Sequence, residues 1–226
     1  MNLTAIYELM SWMSPSYPVG AYTYSHGIEQ AVEDGLINNV SELQDWISAI
    51  LEYGSGRNDG ILFCETFRAV QATDPDRLYK VAELAYAIRP TKELELETTA
   101  QGRAFMTITE RSFPSQALAN LKEQWAGPIA YPVVVGAAAA GRDMTIEVAL
   151  TGYIHGFVSN LVSAAVRLVP LGQTDGQLAI AALEEKCAEL VQEVLFSTLD
   201  DLGSATLMVD WCSARHETQY TRLFRS

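Results

Sequence analysis

The chain is short of cysteine and of basic residues. Its three cysteines, Cys64, Cys187 and Cys212, lie far apart and form no C-x-x-C pair, which argues against a disulfide scaffold and against a zinc knuckle. Only 15 lysines and arginines stand against 28 aspartates and glutamates, so the formal net charge is −13. Such a charge disfavours binding to nucleic acid or to an anionic membrane surface. An acidic surface suits a basic protein partner or a cation, and solubility alone also explains it.

Targeting and membrane signals are missing as well. The N-terminal stretch MNLTAIYELMSWM has no basic start and already contains Glu8, which does not fit a secretory signal. The sequence has no stretch of about 18 apolar residues of the kind that spans a bilayer. We therefore expect a protein of the reducing cytoplasm that binds no membrane.

The motifs of common enzyme classes are absent. No lysine follows a glycine in the manner of a phosphate-binding loop, and no G-x-S-x-G sequence is present. His216 and Glu217 begin an H-E-x-x-H pattern, but Tyr220 occupies the position of the second histidine. The sequence predicts that the protein is not an enzyme and needs no cofactor. A rival interpretation is a helical enzyme with a pocket beneath residues 14–29, where His26 and Glu29 are the available titratable groups.

Apolar residues recur at helical spacing along almost the whole chain, and no convincing alternating strand pattern appears. The loops are short, and there is neither a low-complexity linker nor a repeat of fixed period. This pattern predicts an all-α fold, with a single compact helical domain of about nine to ten helices over residues 1–219. A tail over residues 220–226 follows. It alternates apolar and basic residues, and it could either dock on the domain or reach a partner.

Several helix boundaries can be predicted. Ser41 and Gln44 form a capping box for a helix that ends at Gly54, and Asp74 precedes a proline that starts another helix. Further helices are predicted at residues 91–109, 114–125, 131–140 and 145–169, after Asp175 and after Ser204.

The loop at residues 14–29 combines two prolines, a glycine and a switch into helix. The prolines hold the backbone extended, and Gly20 allows a turn that other residues resist. The loop therefore presents Tyr22 at a fixed angle, which suits an interface, although a structural corner would have the same composition. Thr23 or Ser25 is the predicted cap of the helix that follows.

A second unusual segment lies at residues 160–177. Arg167 stands among apolar residues, so we expect it to be paired or hydrogen-bonded. Thr174 or Asp175 is the predicted cap of the next helix. The segment is either a satisfied polar corner or the wall of an interface or a polar channel. Its polar residues are Gln173, Thr174, Asp175 and Gln177.

Three segments together resemble the UreF family of urease accessory proteins. They are S-P-x-x-P-V-G-x-Y-x-x-S-H-G-I-E at residues 14–29, S-A-A-V-R-L-x-P-L-G-Q-T-D-G-Q at residues 163–177, and H-E-x-Q-Y-x-R-L-F-R-S at residues 216–226. They occur in register over nearly the whole chain. Ala21, where the family often has glycine, and Thr221, where it often has serine, are small departures.

The resemblance implies a fold and a function. UreF-like proteins are all-helical and dimeric, and they are adaptors rather than enzymes. They bind a second accessory protein, UreD (also called UreH), and that complex recruits the nickel-carrying GTPase UreG. The assembly docks on apo-urease and delivers nickel to it.

The resemblance also implies roles for particular residues. Tyr22 and Arg222 look like contacts that recruit the GTPase. Leu223, Phe224 and Arg225 are expected to order on meeting the UreD-like partner. The polar residues from Gln173 to Gln177 are expected to line a nickel passage or an interface.

The main rival is a metallochaperone that carries nickel itself through His26, His155 or His216. No two of these histidines lie at the ligand spacing of a helix, which weakens a site within one subunit. A symmetric dimer could still bring two copies of one histidine together. His26 is the weak candidate that the sequence offers for a metal ligand, and each histidine taken singly is more simply explained as a structural residue.

Overall fold

The computed structural model describes residues 2–226. Its elements over that range are α-helices and two short 3-10 turns, so the predicted all-α class is confirmed. The described chain contains twelve α-helices: α1 (Leu3–Trp12), α2 (Ile28–Glu33), α3 (Val40–Tyr53), α4 (Ser55–Gln71), α5 (Pro75–Ala87), α6 (Lys92–Ser112), α7 (Gln116–Gln124), α8 (Tyr131–Ala140), α9 (Ile146–Leu168), α10 (Gln173–Ala182), α11 (Glu184–Val194) and α12 (Leu207–His216).

The predicted number, nine to ten, is too low for two physical reasons. Helix α4 was not predicted, because Gly54, Gly56 and the charged residues near them have the composition of a loop. The single helix predicted after residue 175 is two helices, α10 and α11, which meet at Leu183. Leu183 serves as the C-cap of one helix and the N-cap of the next.

Side-chain caps set several helix starts, although not always the predicted ones. Asp74 caps α5 as predicted, accepting the amide of Arg77 at 3.0 Å. The capping box at Ser41 is wrong, because Asn39 is the N-cap of α3 and accepts the Glu42 amide at 3.0 Å. The predicted caps of α10 are also wrong, because that helix begins at Gln173.

Helix α8 lies at the centre of the core. Its sequence, YPVVVGAAAA, is apolar on every side, as expected for a fully buried helix. It packs against α4, α6, α7 and α9. Gly136 permits the close approach to α4, since a Cβ there would lie 2.7 Å from the carbonyl oxygen of Phe63.

Helix α9 is the longest element and connects the core to the site described below. Within the described residues it is the one helix long and apolar enough to cross a membrane by length and composition. Half of its most apolar stretch is buried inside the protein, and it packs against α2, α3, α4, α8, α10 and α11. This is the packing of a core helix.

Candidate functional site

The N-terminal loop, residues 14–27, has a backbone fixed by left-handed residues. Gly20 has a φ of 75°, as its predicted turn requires, and Gly27 has a φ of 81°. A side chain at Gly27 would also crowd the backbone of α12, because its Cβ would lie 3.1 Å from the Ser213 nitrogen. The predicted caps at Thr23 and Ser25 are wrong, since Gly27 is the N-cap of α2. Tyr22 lies in the short 3-10 turn and is 63% exposed.

The last residues of the chain lie along this loop. The Arg225 amide donates to the Thr23 carbonyl at 2.7 Å. The amide and the hydroxyl of Ser25 both donate to the main-chain oxygen of Ser226, at 2.7 and 2.6 Å. Of the two alternatives for the tail, the structure therefore shows the one in which it docks on its own domain.

Glu29 binds the main chain of the tail. It is 5% exposed, and its carboxylate accepts the amides of Leu223 at 2.7 Å and Phe224 at 3.0 Å. The same carboxylate lies 2.9 Å from the Nε2 atom of His216. Glu29 thus joins helix α2, helix α12 and the tail.

His216 lies between two carboxylates and has no exposed surface. Its Nε2 atom faces Glu29 at 2.9 Å, and its Nδ1 atom faces Glu93 at 3.2 Å. An ionised carboxylate only accepts hydrogen bonds, and a neutral imidazole has a single N–H to donate. The two bonds together therefore require an imidazolium if both carboxylates are ionised. The guanidinium of Arg222 completes the network, 3.3 Å from Glu93.

Phe224 anchors the tail in the domain. It is 5% exposed, and the guanidinium of Arg167 lies over its ring, 4.3 Å from the centroid. Arg167 also donates from Nε to the Ser163 carbonyl at 3.0 Å, so the expectation that Arg167 is hydrogen-bonded is confirmed. Burial lowers the pKa of Arg167, and the neighbouring Tyr22 hydroxyl opposes that shift.

His26 belongs to a second network beside the first. Its Nδ1 atom lies 3.2 Å from Glu97, and its Nε2 atom lies 2.6 Å from the Ser55 hydroxyl. Burial lowers the pKa of His26, but the charge and hydrogen bond of Glu97, helped by Asp59, outweigh it, so the pKa is raised. The Ser226 hydroxyl donates to the same Glu97 at 3.1 Å. His26 and Glu29 therefore have separate partners and do not form one acid–base pair.

A cavity of about 80 Å³ lies beneath the loop. A buried ion pair lines it, with Arg89 donating to Asp59 at 2.8 Å, and the Tyr153 hydroxyl donates to the same carboxylate at 3.0 Å. These three residues were not predicted from the sequence. The signal that could have identified them was Asp59, a charged residue two positions before the apolar run of Ile61 to Cys64, because a charge beside a buried run needs a partner.

The polar residues of the junction after α9 lie at the surface. Gln173, Thr174 and Gln177 are exposed. Asp175 is partly buried and accepts the Gly172 amide at 2.8 Å, so it closes the first turn of α10 from inside the helix.

Potential metal ligands are dispersed. Among residues 2–226, no group of three or more histidine, cysteine, aspartate or glutamate side chains is arranged to hold a metal ion. His155 is exposed on α9, away from the two buried histidines. Burial raises the pKa of Cys64 to about 12 and those of Cys187 and Cys212 to about 11, which opposes formation of the thiolate that metals bind.

Comparison with known proteins gives consistent results. The model of the UreF family matches residues 37–184. A urease accessory protein UreF of Rhodopseudomonas palustris (strain BisA53) is 49% identical over 222 residues, which cover 98% of this chain and 93% of the relative. The UreF of Granulibacter bethesdensis is 48% identical, covering 98% and 94%. The UreF of Methylorubrum populi is 47% identical over 219 residues, covering 97% and 98%.

Proposed function

The chain belongs to the UreF family of urease accessory proteins, which supports a role in urease maturation, and we propose that it fulfils this role as a non-enzymatic adaptor. In this proposal the chain is cytoplasmic and forms a homodimer. The homodimer binds a UreD-like protein, and the resulting complex recruits the nickel-carrying GTPase UreG. The complex then docks on apo-urease, and the GTPase's nickel is inserted there.

One observation carries the proposal. Three segments far apart in the sequence meet at one place: the N-terminal loop, the end of α9 and the C-terminal segment, residues 220–226. Thr23 and Ser25 bind the main chain of that segment, and Arg167 stacks on its Phe224. A composite surface with buried supports and exposed aromatic and basic side chains is suited to protein recognition.

Tyr22 and Arg222 are the proposed contacts with the GTPase. Tyr22 is exposed on a turn whose backbone is fixed, and the Arg222 side chain is 39% exposed while Glu93 orients it. A rigid tyrosine and a pre-oriented guanidinium are typical of the residues that dominate interface energies.

Leu223 and Arg225 are the proposed outward contacts with the UreD-like protein. Leu223 is 74% exposed, while Phe224, between them, is buried and holds the segment in place. The exposed junction residues Gln173, Thr174 and Gln177, together with Asp175, are proposed to lie at an interface of the assembly, along the route that nickel takes.

A pull-down with purified UreG tests the GTPase contacts. Tyr22→Ala and Arg222→Ala should each weaken recruitment by about 2 kcal/mol or more, roughly thirtyfold in Kd, without changing the fold. Tyr79→Ala is a matched control, because Tyr79 is also an exposed tyrosine (41% accessible) but lies on α5, outside the proposed site. Wild-type recruitment by both site variants would refute the assignment.

The UreD-like contact has its own test. Leu223→Ala keeps the Phe224 anchor, so it should weaken co-elution with the UreD-like protein in size-exclusion chromatography while the isolated variant melts normally. Deletion of residues 221–226 should weaken co-elution further. Unchanged co-elution by both variants would contradict the proposed contact.

Equilibrium dialysis separates the adaptor from the nickel-carrier alternative. The adaptor should bind nickel weakly, since its two buried histidines are engaged by glutamates. Tight stoichiometric binding by the isolated protein, lost in His155→Ala, would favour the carrier.

A further inference from the structure

The basic side chains of this acidic chain divide into two groups. Ten of the 15 lysines and arginines form ion pairs with carboxylates of residues 2–226. The remaining five have no such carboxylate partner in the described chain. These five are Lys80, Arg103, Arg111, Arg167 and Arg225.

Three of these five line one groove. The arginine groove, as we term it, lies between the N-terminal loop and helix α6, has a volume of about 610 Å³, and contains Arg103, Arg111 and Arg225. Tyr22 also lines it, and none of the described residues that line it contributes a carboxylate. Glu110, next to Arg111 in the sequence, lies outside this lining and pairs with Lys122 at 3.0 Å. In a protein of net charge −13, such a place concentrates positive potential.

The backbone sets the spacing of these arginines. Arg103 and Arg111 are exposed and eight residues apart on α6, so they share one helix face at a spacing of about 12 Å. Arg225 stands across the groove, where its guanidinium lies 5.8 Å from the centroid of the Tyr24 ring and its amide is fixed by Thr23. Apolar residues, among them Val19 and Ala104, also line the groove.

We propose that the α6 side of the arginine groove receives an acidic segment of the protein that Tyr22 contacts, with carboxylates of that segment pairing with Arg103 and Arg111, while Arg225 on the opposite side is left to the UreD-like protein. In the proposed function, on which this inference rests, that protein is the GTPase. Guanidinium groups bind carboxylates in a bidentate manner, and the unpaired state of both arginines leaves their donors available. An acidic segment whose carboxylates lie about 12 Å apart fits this arrangement. In an extended chain, residues four positions apart lie on the same face at roughly that spacing.

Other polyanions fit the groove less well. An extended nucleic acid would reach beyond the three arginines of the groove and meet the acidic remainder of the surface, which repels phosphates. An acidic segment on a separate protein does not meet this obstacle.

The test measures binding of purified UreG and of the UreD-like protein to Arg103→Glu/Arg111→Glu. Both positions are exposed, so the double variant should keep its circular dichroism and its Tm. The matched control is Lys80→Glu/Lys92→Glu, which makes the same change in net charge at exposed positions outside the groove.

The expected result is specific to one partner. The groove variant should bind UreG about tenfold or more weakly, with most of the loss in the association rate, and the wild-type affinity should fall more steeply with salt than that of the variant. The control should stay within about twofold, and binding of the UreD-like protein should be unchanged.

Three results would overturn the inference. They are wild-type UreG binding by the groove variant, a loss confined to the UreD-like protein, and a loss of self-association of this chain in sedimentation while UreG binding persists. If the wild-type complex with the UreD-like protein recruits no UreG, the proposed function itself fails and this inference fails with it. A groove variant that binds UreG normally, beside a Tyr22→Ala variant that does not, would reject the inference alone.

Discussion

At the scale of single residues, the support of the tail depends on charges placed out of contact with water. His216 joins Glu29 and Glu93, and these glutamates in turn hold the tail amides and Arg222. A buried charge that loses its partner is costly, because neither water nor another group replaces the lost interaction. The tail position therefore depends on the contacts of one buried histidine with these two glutamates.

Replacing His216 should destabilise the protein strongly. His216→Ala leaves Glu29 and Glu93 buried without their shared hydrogen-bond partner, and we expect a loss of about 3–5 kcal/mol in the free energy of unfolding, measured by urea denaturation. The neighbouring Arg215→Ala is the control, since its ion pair with Asp34 is largely exposed and should contribute less than about 1 kcal/mol. Equal losses in the two variants would show that the buried network is not what stabilises this region.

His26 should make stability depend on pH. Its pKa is raised in the folded protein, because Glu97 outweighs the burial that lowers it. Protonated His26 therefore stabilises the fold below its unfolded pKa of about 6.5, and this contribution is lost as the pH rises through the raised folded-state value. The stability advantage of the wild type over His26→Gln, measured by chemical denaturation at several pH values, should shrink as the pH rises. An advantage that grows with pH would contradict the assignment.

At the scale of helices, the core depends on close approaches at glycine. Helix α6 meets the segment leading into α8 at Gly102, where an added Cβ would lie 2.0 Å from the main-chain oxygen of Ile129. A backbone atom cannot rotate away as a side chain can, so the two segments would have to separate.

Gly102→Ala should therefore cost about 3 kcal/mol or more in thermal unfolding experiments. Gly203→Ala introduces the same methyl group where no atom lies within 4 Å, and it should be neutral or stabilising by up to about 1 kcal/mol. A Gly102→Ala variant as stable as the Gly203→Ala variant would mean that α6 and α8 are less tightly packed than described.

The helices that the sequence predicted well are those with local signals. Helix α8 occupies its predicted residues, and α5 begins after Asp74 as predicted, because an unbroken apolar run and a capping carboxylate act within a few residues. Helix α4 could not be predicted in this way. At Gly60 an added Cβ would lie 3.2 Å from Val194 of α11, a tertiary neighbour that no local pattern reveals.

The site shows the same division. The left-handed turn at Gly20 and the hydrogen-bonded state of Arg167 followed from residue types. The meeting of Glu29 with His216, 187 residues apart, depends on how α2 and α12 pack, and so does the docking of the tail. Composition identified the segments, and only the fold brought them together.

At the scale of the whole molecule, the charge of the candidate site is opposite in sign to the net charge of the chain. The surface is acidic overall, yet the N-terminal loop, the tail and the arginine groove collect Arg222, Arg225, Arg103 and Arg111 near the exposed Tyr22. Such a distribution favours approach of a partner in one orientation. It fits a protein that assembles others and positions them.

Reconstitution of urease maturation is the decisive test of the proposed adaptor role. Apo-urease, nickel, GTP, UreG and the UreD-like protein would be incubated with the wild-type chain, with Tyr22→Ala/Arg222→Ala, or without the chain, and urease activity measured. If the chain is the adaptor, urease should be activated efficiently in the mixture with the wild-type chain, and activity should stay near the chain-free level in the mixture with the double variant. Equal activation in the absence of the chain would contradict it.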